Sequence, residues 1–366
     1  MAQPIIPTAF GVQKLFILIR VFYFIITYRK NCSLDPVTQG VLGAFVAQAH
    51  GAKKTLAKAA AIGALAGMAP DLDVLIRSST DPLLMLDYHR QFTHSLFFIP
   101  FGGLLCSWLL YPLLGKRWQL SYRQVLIWCL LGFATHGVLD WCTSYGTKLL
   151  WPFSNERYAL DIISIIDPLF TLPLLALTFL AARTRQRAYV AFAWAWGALY
   201  LALGFVQHER AEAMALDLAQ SRNHTVARLE VKPSFGNLAV WKSMYTSEGK
   251  LYVDAVKPGL VTSRVWPGQS IALLEVKRDF PWLDPASQQA QDIARFNAAS
   301  IGFLAPDPAN PLRVGDMRYS LLPHHIDPLW GIRLSANAPT DAHVDFYTHR
   351  GNAGAALSTL IDMMFE

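Results

Sequence analysis

Charged side chains are scarce in this sequence. Lys, Arg, Asp and Glu make up 16% of the 366 residues, whereas an ordinary soluble domain has about 25%. Hydrophobic residues make up 53%. This composition argues against a wholly soluble protein and indicates that part of the chain lies in a lipid bilayer.

Several motifs of soluble enzymes are absent. The chain has no GxSxG, no Walker loop and no GxGxxG, so serine hydrolase, P-loop and dinucleotide-binding functions lack a motif. Its four cysteines show no CxxC spacing. No basic stripe is interleaved with aromatic residues, which argues against nucleic acid as a partner.

The net charge of +6 belongs to the first part of the chain. Residues 1–206 contain 17 Lys and Arg against 9 Asp and Glu, whereas residues 207–366 contain 15 against 17. Positive charge beside apolar segments suits anionic lipid headgroups. The charge distribution therefore also favours a membrane protein.

Long apolar segments predict the membrane helices. Two shorter runs rich in Gly and Ala, 36–50 and 55–69, come first, and such small residues let helices approach closely in lipid. Four longer segments approach the roughly 20 residues that cross a bilayer, at 94–114, 124–140, 160–182 and 189–206. We expect a membrane α-helical bundle of about six helices, with a possible N-terminal anchor.

After residue 206 the sequence changes character. Short β-like runs alternate with Pro/Gly turns, which predicts a soluble, strand-rich α+β domain. We therefore predict an N-terminal extension or anchor at 1–33, a polytopic membrane domain at 34–206 and a soluble extracytoplasmic domain at 207–366.

The positions of lysine and arginine predict the orientation, because cytoplasmic loops carry the excess of positive charge. The connections 70–93 and 141–159 hold few cations. The alternate turns hold nine cations and no acid, namely Lys53, Lys54, Lys58, Lys116, Arg117, Arg123, Arg183, Arg185 and Arg187. We expect the two cation-poor connections, and everything after residue 206, to face away from the cytoplasm.

Histidines and carboxylates collect on that outer side. Ionisable side chains at membrane depth are expensive and usually face the bundle interior or a wet cavity. Three histidines and three carboxylates suit zinc or a similar transition ion better than calcium or magnesium, and are enough for one or two ions. The six residues are Asp71, Asp73, His89, His94, His136 and Asp140.

The order of these motifs resembles a known family. LDPVTQGVLGA, PDLD, YHRQFTHS and the run from HGVLD to ISIIDP are similar to the bacterial membrane-bound metal-dependent hydrolases, which include LexA-regulated inner-membrane members. The resemblance covers about residues 34–206. It implies a bacterial inner-membrane hydrolase with the six residues above as metal ligands. In one departure, Gln39 stands where members usually have a histidine.

The resemblance also implies a reaction. The His and Asp pattern is similar to zinc-dependent phospholipase C, which implies hydrolysis of an ester or phosphoester in a membrane lipid or lipid-linked substrate. Arg90 would orient an anionic group, and Asp73 would act as general base. Residues that support these groups or contact substrate would be Asp35, Gln39, Tyr145, Arg157, Asp161 and Asp167.

Two other functions stay open at this point. Buried Asp, His and Arg also mark ion and proton paths, so a transporter that uses Asp167 is one alternative. The other is a non-catalytic assembly protein, in which the polar cluster only locks the bundle together.

Overall fold

The computed structural model describes residues 36–259, 262–349 and 351–366. The predicted extension at 1–33 and the predicted site residue Asp35 lie outside the described residues. Along the described chain, helices come first and two antiparallel sheets follow. This order confirms a helical N-terminal region followed by a strand-rich domain.

The helical region is connected by short turns. Four 3-10 turns lie between its described helices: Lys53–Thr55, Pro70–Leu75, Phe92–His94 and Leu96–Phe98. The helices are α1 (Pro36–His50), α2 (Leu56–Met68), α3 (Leu84–Tyr88), α4 (Ile99–Leu110), α5 (Tyr122–Cys142), α6 (Pro168–Thr184) and α7 (Ala188–Ser221).

Within the described residues, three helical segments are long and apolar enough to cross a bilayer: Leu96–Gly115, Tyr122–Cys142 and Ala188–Ser221. The prediction of about six spans was therefore too high. The helices α1, α2 and α6 have 15, 13 and 17 residues, and at 1.5 Å per residue each is shorter than an apolar core of about 30 Å. The predicted runs 36–50 and 55–69 agree with α1 and α2, whereas the predicted segment 160–182 begins eight residues before α6.

The helices α1, α2 and α5 meet at glycines. A Cβ atom on Gly43 or on Gly132 would overlap the carbonyl oxygen of Gly63. Only glycine allows the backbones to touch here, as the small residues in the sequence predict. This contact fixes the end of α2 beside the last turns of α5.

The strand-rich domain holds two four-stranded antiparallel sheets in its described residues, with strand orders β1-β2-β3-β4 and β5-β6-β7-β8. The first contains β1 (Arg228–Pro233), β2 (Trp241–Ser247), β3 (Lys250–Lys257) and β4 (Arg264–Ala272). The second contains β5 (Leu304–Asp307), β6 (Asn310–Asp316), β7 (Trp330–Arg333) and β8 (Asp345–Thr348). Its helices are α8 (Val276–Asp279), α9 (Gln288–Ala299) and α10 (Ala353–Phe365).

The two parts of the chain pack against each other. Leu83 and Leu86 share an apolar cluster with residues of the strand-rich domain, including Phe280. Arg295 lies 2.8 Å from Asp81 and 2.6 Å from Asp87. The predicted boundary at residue 206 falls inside α7, which continues without a break to Ser221. The strand-rich domain therefore lies directly over the connection at 70–93.

Candidate metal centre

Short elements bring the predicted ligands together at one end of the bundle. The turn Pro70–Leu75, which a proline opens after α2, carries two aspartates. One histidine directly follows α3, another closes the turn Phe92–His94, and the last turns of α5 supply the remaining pair. In chain order these residues are Asp71, Asp73, His89, His94, His136 and Asp140.

Four of the six converge on one point. Asp71 Oδ1 lies 3.3 Å from His136 Nε2 and 3.5 Å from His94 Nε2. Asp140 Oδ2 lies 3.3 Å from His94 Nε2 and 3.8 Å from His136 Nε2. All four atoms are buried and make no hydrogen bond to any described residue. We call Asp71, His94, His136 and Asp140 the quartet.

The spacing within the quartet fits a tetrahedral metal site. Zinc bonds of about 2.0–2.1 Å to nitrogen or oxygen would place neighbouring donor atoms about 3.3–3.4 Å apart. A buried polar atom without a partner costs about 1–3 kcal/mol, so a bound cation would remove a penalty that the fold now carries. Two imidazoles and two carboxylates are a suitable donor set for zinc or a similar transition ion.

Hydrogen bonds orient both histidine rings toward that point. His136 Nδ1 lies 2.6 Å from the Gly67 carbonyl oxygen, which can only accept, so Nδ1 carries the proton. The Thr93 hydroxyl donates to Asp73 and therefore accepts from His94 Nδ1 at 2.9 Å. In the neutral form of each ring, Nε2 then presents its lone pair to the quartet.

Asp73 and His89 lie behind the quartet. Asp73 Oδ1 lies 2.8 Å from His89 Nδ1, while Oδ2 accepts from Thr93 Oγ1 and from the Arg90 backbone nitrogen. Asp73 Oδ2 is also 3.3 Å from His94 Nδ1. Both oxygens of Asp73 are therefore engaged in holding the residues around them, and a second group of possible ligands, with His89 and His94, forms around it.

Arg90 borders the quartet in a strained backbone conformation. Its φ is +60°, a left-handed value that costs a residue with a Cβ roughly 1–2 kcal/mol. Its Nε lies 3.2 Å from Asp140 Oδ2 without hydrogen-bond alignment, and Nη1 donates to Thr143 Oγ1 at 3.1 Å. The strain places a buried guanidinium next to a quartet carboxylate.

Gln39, the residue that departs from the family pattern, contacts the quartet. Its Nε2 donates to Asp140 Oδ1 at 2.8 Å. Its Oε1 is buried without a hydrogen-bond partner in the described chain. A cavity of about 10 Å³, room for about one water molecule, lies beside the quartet and is lined by Gln39, Asp71, Arg90 and Asp140 among others.

The charges around the quartet favour a protonated His94 beside an ionised Asp71. Burial lowers the pKa of His94, but contacts with Asp71 and Asp73 outweigh burial and raise it to about 9. Burial opposes ionisation of Asp71, yet His136 and His94 hold its pKa well below the usual range. Burial lowers the pKa of His89. A metal ion would replace the proton on His94, since imidazole ligates in its neutral form.

The remaining predicted site residues occupy different places. The Tyr145 ring lies near Arg90, with the Arg90 Cζ 5.1 Å from the ring centre. Arg157 donates to the backbone oxygens of Gly146 and Leu86 and so holds two connections together. These two residues lie beside the quartet, on the side of the strand-rich domain.

The two predicted aspartates of the 160–182 segment have separate settings. Asp161 has a φ of +54°, and burial raises its pKa to about 6. Asp167 caps α6 by accepting from the Leu169 and Phe170 nitrogens, and its other oxygen accepts from Tyr200. Two of these hydrogen bonds cap α6, and the third joins the start of α6 to α7.

Residues of the strand-rich domain also reach this region, and the sequence did not indicate them. Tyr319 donates to the Ser144 carbonyl oxygen at 2.8 Å, and the guanidinium of Arg318 lies 5.9 Å from the Tyr145 ring centre. Lys232 lies 4.4 Å from the Tyr319 ring centre. No local motif marks these residues, because strand pairing and domain packing bring them here.

Residues 34–211 match the family described as YdjM inner membrane protein. The chain is 31% identical over 137 residues to the uncharacterized protein YfhP of Bacillus subtilis (strain 168), covering 37% of each chain. It is 36% identical over 102 residues to the inner membrane protein YbcI of Escherichia coli (strain K12), covering 26% of this chain and 54% of that protein.

These matches concern only part of each relative, since the chain spans 37% and 54% of the two curated proteins. No solved structure matches the chain. The family match contains the whole quartet, and together with the apolar helices it supports a membrane location. The family description names a location and no activity.

Proposed function

We propose that this protein, whose residues 34–211 match the YdjM inner membrane protein family, is a multi-pass hydrolase that uses a divalent transition metal, with zinc favoured. The observation that carries the proposal is the quartet. Its four buried donor atoms make no hydrogen bond within the described part of the chain, and its four carboxylate–imidazole distances are 3.3 to 3.8 Å. Outward hydrogen bonds orient both imidazoles. An ion held by three of these residues would keep a fourth position for water, and it would supply Lewis-acid activation of that water and of an ester or phosphoester oxygen.

The quartet residues would have different roles in the reaction. Asp71 is the most exposed of them, at 17% of its side chain, and it lines the small cavity together with Arg90. We assign to Asp71 the orientation of a water in that cavity by accepting a hydrogen bond from it. Both oxygens of Asp73 already accept hydrogen bonds, so the geometry favours a positioning role for Asp73 over the predicted role of general base.

Arg90 has two tasks in this proposal. It offsets the negative charge of Asp140, and its guanidinium remains close to the cavity, where it can orient an anionic group. Gln39 holds the other oxygen of Asp140 and so turns Oδ2 toward the histidines.

A membrane-associated substrate suits the surroundings of the quartet. Phe153 is 82% exposed, and Phe97 and Leu150 are also exposed in the neighbouring segments. Aromatic and apolar side chains of this kind lie at the headgroup level of a bilayer. With the excess of Lys and Arg on the opposite turns, this supports a lipid or lipid-linked substrate at the periplasmic face.

Metal analysis of the detergent-purified full chain tests the proposal. We expect about one or two transition-metal ions per wild-type chain, and loss of most of this metal in His94→Ala and His136→Ala, because each removes a ligand. The matched control is His50→Ala, which removes an exposed histidine at the far end of α1 and should keep the wild-type content.

Two results would contradict the proposal. One is a wild-type protein without stoichiometric transition metal after zinc loading, and the other is full metal content in both quartet variants. A protein that loses thermal stability in His94→Ala but hydrolyses no ester or phosphoester with any divalent ion would instead match the assembly protein. Liposome flux that needs Asp167 and no metal would match the transporter.

A further inference from the structure

A second cluster of buried charge lies where the two parts of the chain meet. Lys232 on β1 is 4% exposed, and its Nζ has no hydrogen-bond partner in the described ranges. Arg318, two residues after β6, is 1% exposed, and its Nη1 also makes no hydrogen bond there. We call Lys232 and Arg318 the junction cations.

Among the described residues, none of the acids around the junction cations is hydrogen-bonded to Lys232. Asp316 accepts from Arg318 Nε at 2.9 Å and from Nη2 at 2.7 Å, so its charge is paired with the arginine. Glu230 is paired with Arg228 at 2.7 Å. Asp161 influences Lys232 electrostatically, but the Lys232 Nζ makes no hydrogen bond to it in the described structure.

Burial lowers the pKa of Lys232 to about 8, so its amine still carries a proton at neutral pH. A buried charge without a hydrogen-bonded partner is costly, and folds keep such groups when a ligand compensates them. The spare donors, one on Lys232 and one on Arg318, therefore point to an anionic ligand.

Tyr145 connects Arg318, one of the junction cations, with Arg90 at the edge of the quartet. The Cζ atoms of Arg90, Arg157 and Arg318 lie 5.1, 5.9 and 5.9 Å from the centre of its ring. Contact with an aromatic face stabilises a guanidinium and leaves its N–H groups available to donate hydrogen bonds to other partners. Positive charge thus continues from the edge of the quartet into the strand-rich domain.

A cavity between the two parts lies next to this region. Its volume is about 540 Å³, which lies within the range of small-molecule sites. Its wall includes Lys148, Arg157 and Ala299 together with the acids Asp87 and Glu156. The Ala299 carbonyl oxygen accepts from Arg318 Nη2 at 3.1 Å. One residue of the cavity wall is therefore hydrogen-bonded to a junction cation.

We propose that the junction cations bind a phosphate group, and that the strand-rich domain thereby supplies the anion-recognising part of a site whose metal-holding part is the quartet. Arginine and lysine are the side chains that best match phosphate oxygens. The inference rests on the proposed function, because one phosphate-bearing substrate would reach both groups.

Calorimetric titration of the full chain in detergent, stripped of metal with a chelator, tests this proposal with inorganic phosphate as the probe. We expect wild type to bind phosphate and Lys232→Met to lose at least tenfold in affinity. Lys232→Met removes a costly buried charge, so this variant should fold at least as well as wild type.

Lys242→Met is the matched control. Lys242 is another buried lysine, on the neighbouring strand β2, but its Nζ already donates to Ser320 Oγ at 2.7 Å and to the His325 carbonyl oxygen at 3.1 Å. Phosphate affinity within twofold of wild type is expected. Phosphate binding by Lys232→Met equal to wild type, or no binding of phosphate or lipid by wild type, would overturn the proposal.

Titration with a short-chain phosphatidylglycerol separates the two sources of phosphate. Binding of both probes, each weakened in Lys232→Met, supports recognition of the phosphate group itself. Binding of the lipid alone with the same dependence on Lys232 supports a lipid headgroup as the ligand. Because these titrations use metal-free protein, phosphate binding in a chain that fails the metal analysis would remove the hydrolase proposal and leave the anion site standing.

Discussion

Gln39 Nε2 donates to Asp140 Oδ1 at 2.8 Å, while the other oxygen of the same carboxylate lies 3.3 Å from His94 Nε2. The amide thus fixes one side of Asp140 and leaves the other side facing the quartet. In the sequence, Gln39 stood out only as a replacement for a histidine. In the structure it is a neighbour that orients a proposed ligand, as groups behind metal ligands commonly do.

The Gln39–Asp140 contact predicts a weaker metal site in Gln39→Ala. We expect metal affinity to fall 10- to 100-fold, the usual effect of removing a group that orients a ligand, measured by competition with a chromophoric chelator. Gln48→Ala is the control, because Gln48 is also buried on α1 but donates to the Leu56 and Thr178 carbonyl oxygens, far from the quartet. Equal affinities in wild type and Gln39→Ala would show that Gln39 does not orient Asp140.

The glycine contact between α1, α2 and α5 predicts a large stability loss in Gly63→Ala. The new Cβ would overlap the Gly43 carbonyl oxygen and push the backbones apart, at a cost of about 1–3 kcal/mol or more, seen as a lower Tm in detergent. In Gly197→Ala on α7, the new Cβ meets nothing nearer than Leu174 Cδ2 at 4.0 Å. That control should be neutral or gain up to about 1 kcal/mol. Similar Tm values for both variants would argue against a close helix crossing.

The buried amine of Lys242 predicts a pH dependence of stability. Burial, with the nearby charge of Lys232, lowers the pKa of Lys242 to about 7, whereas an unfolded lysine has a pKa of about 10.4. Between these values the unfolded chain binds more protons, so the free energy of unfolding rises with pH, by at most about 1.4 kcal/mol per pH unit for one group. Below pH 7 both states are protonated and the contribution is flat.

Comparison of wild type with Lys242→Met isolates this effect, since Lys232 remains in both proteins. We expect Tm to rise less steeply between pH 7 and 9 in the variant than in wild type. Parallel Tm curves would mean that Lys242 does not titrate in this window.

The sequence identified the residues of the quartet but did not distinguish them from their supports. Spacing placed His136 and Asp140 on one helix face, and in the structure His136 Nε2 lies 3.3 Å from Asp71 Oδ1 and 3.8 Å from Asp140 Oδ2. The role of Asp73 depends on the hydrogen bonds of Thr93 and His89, which residue spacing does not report. The two aspartates of PDLD therefore have different roles because their side chains leave the 3-10 turn in different directions.

Other features depend on long-range packing and were not predictable from patterns. Lys232 and Arg318 carry no motif, and only strand register and domain contact place Lys232 near Tyr319 and Arg318 near Tyr145. The strand-rich character after residue 206 was correct because alternation and turn residues are local signals. The number of spans was too high because α1 and α2 are apolar but short.

The 34 residues of α7 form one uninterrupted helix from the bundle into the strand-rich domain. Such a helix is about 51 Å long, some 20 Å more than an apolar bilayer core. It sets both the height of the strand-rich domain above the lipid and its rotation about the helix axis. Inserting one residue after Gln207 would turn that domain by about 100°, whereas a flexible linker would absorb the change. The position of Lys232 and Arg318 relative to the bundle therefore depends on the number of residues in α7 between the bundle and the strand-rich domain.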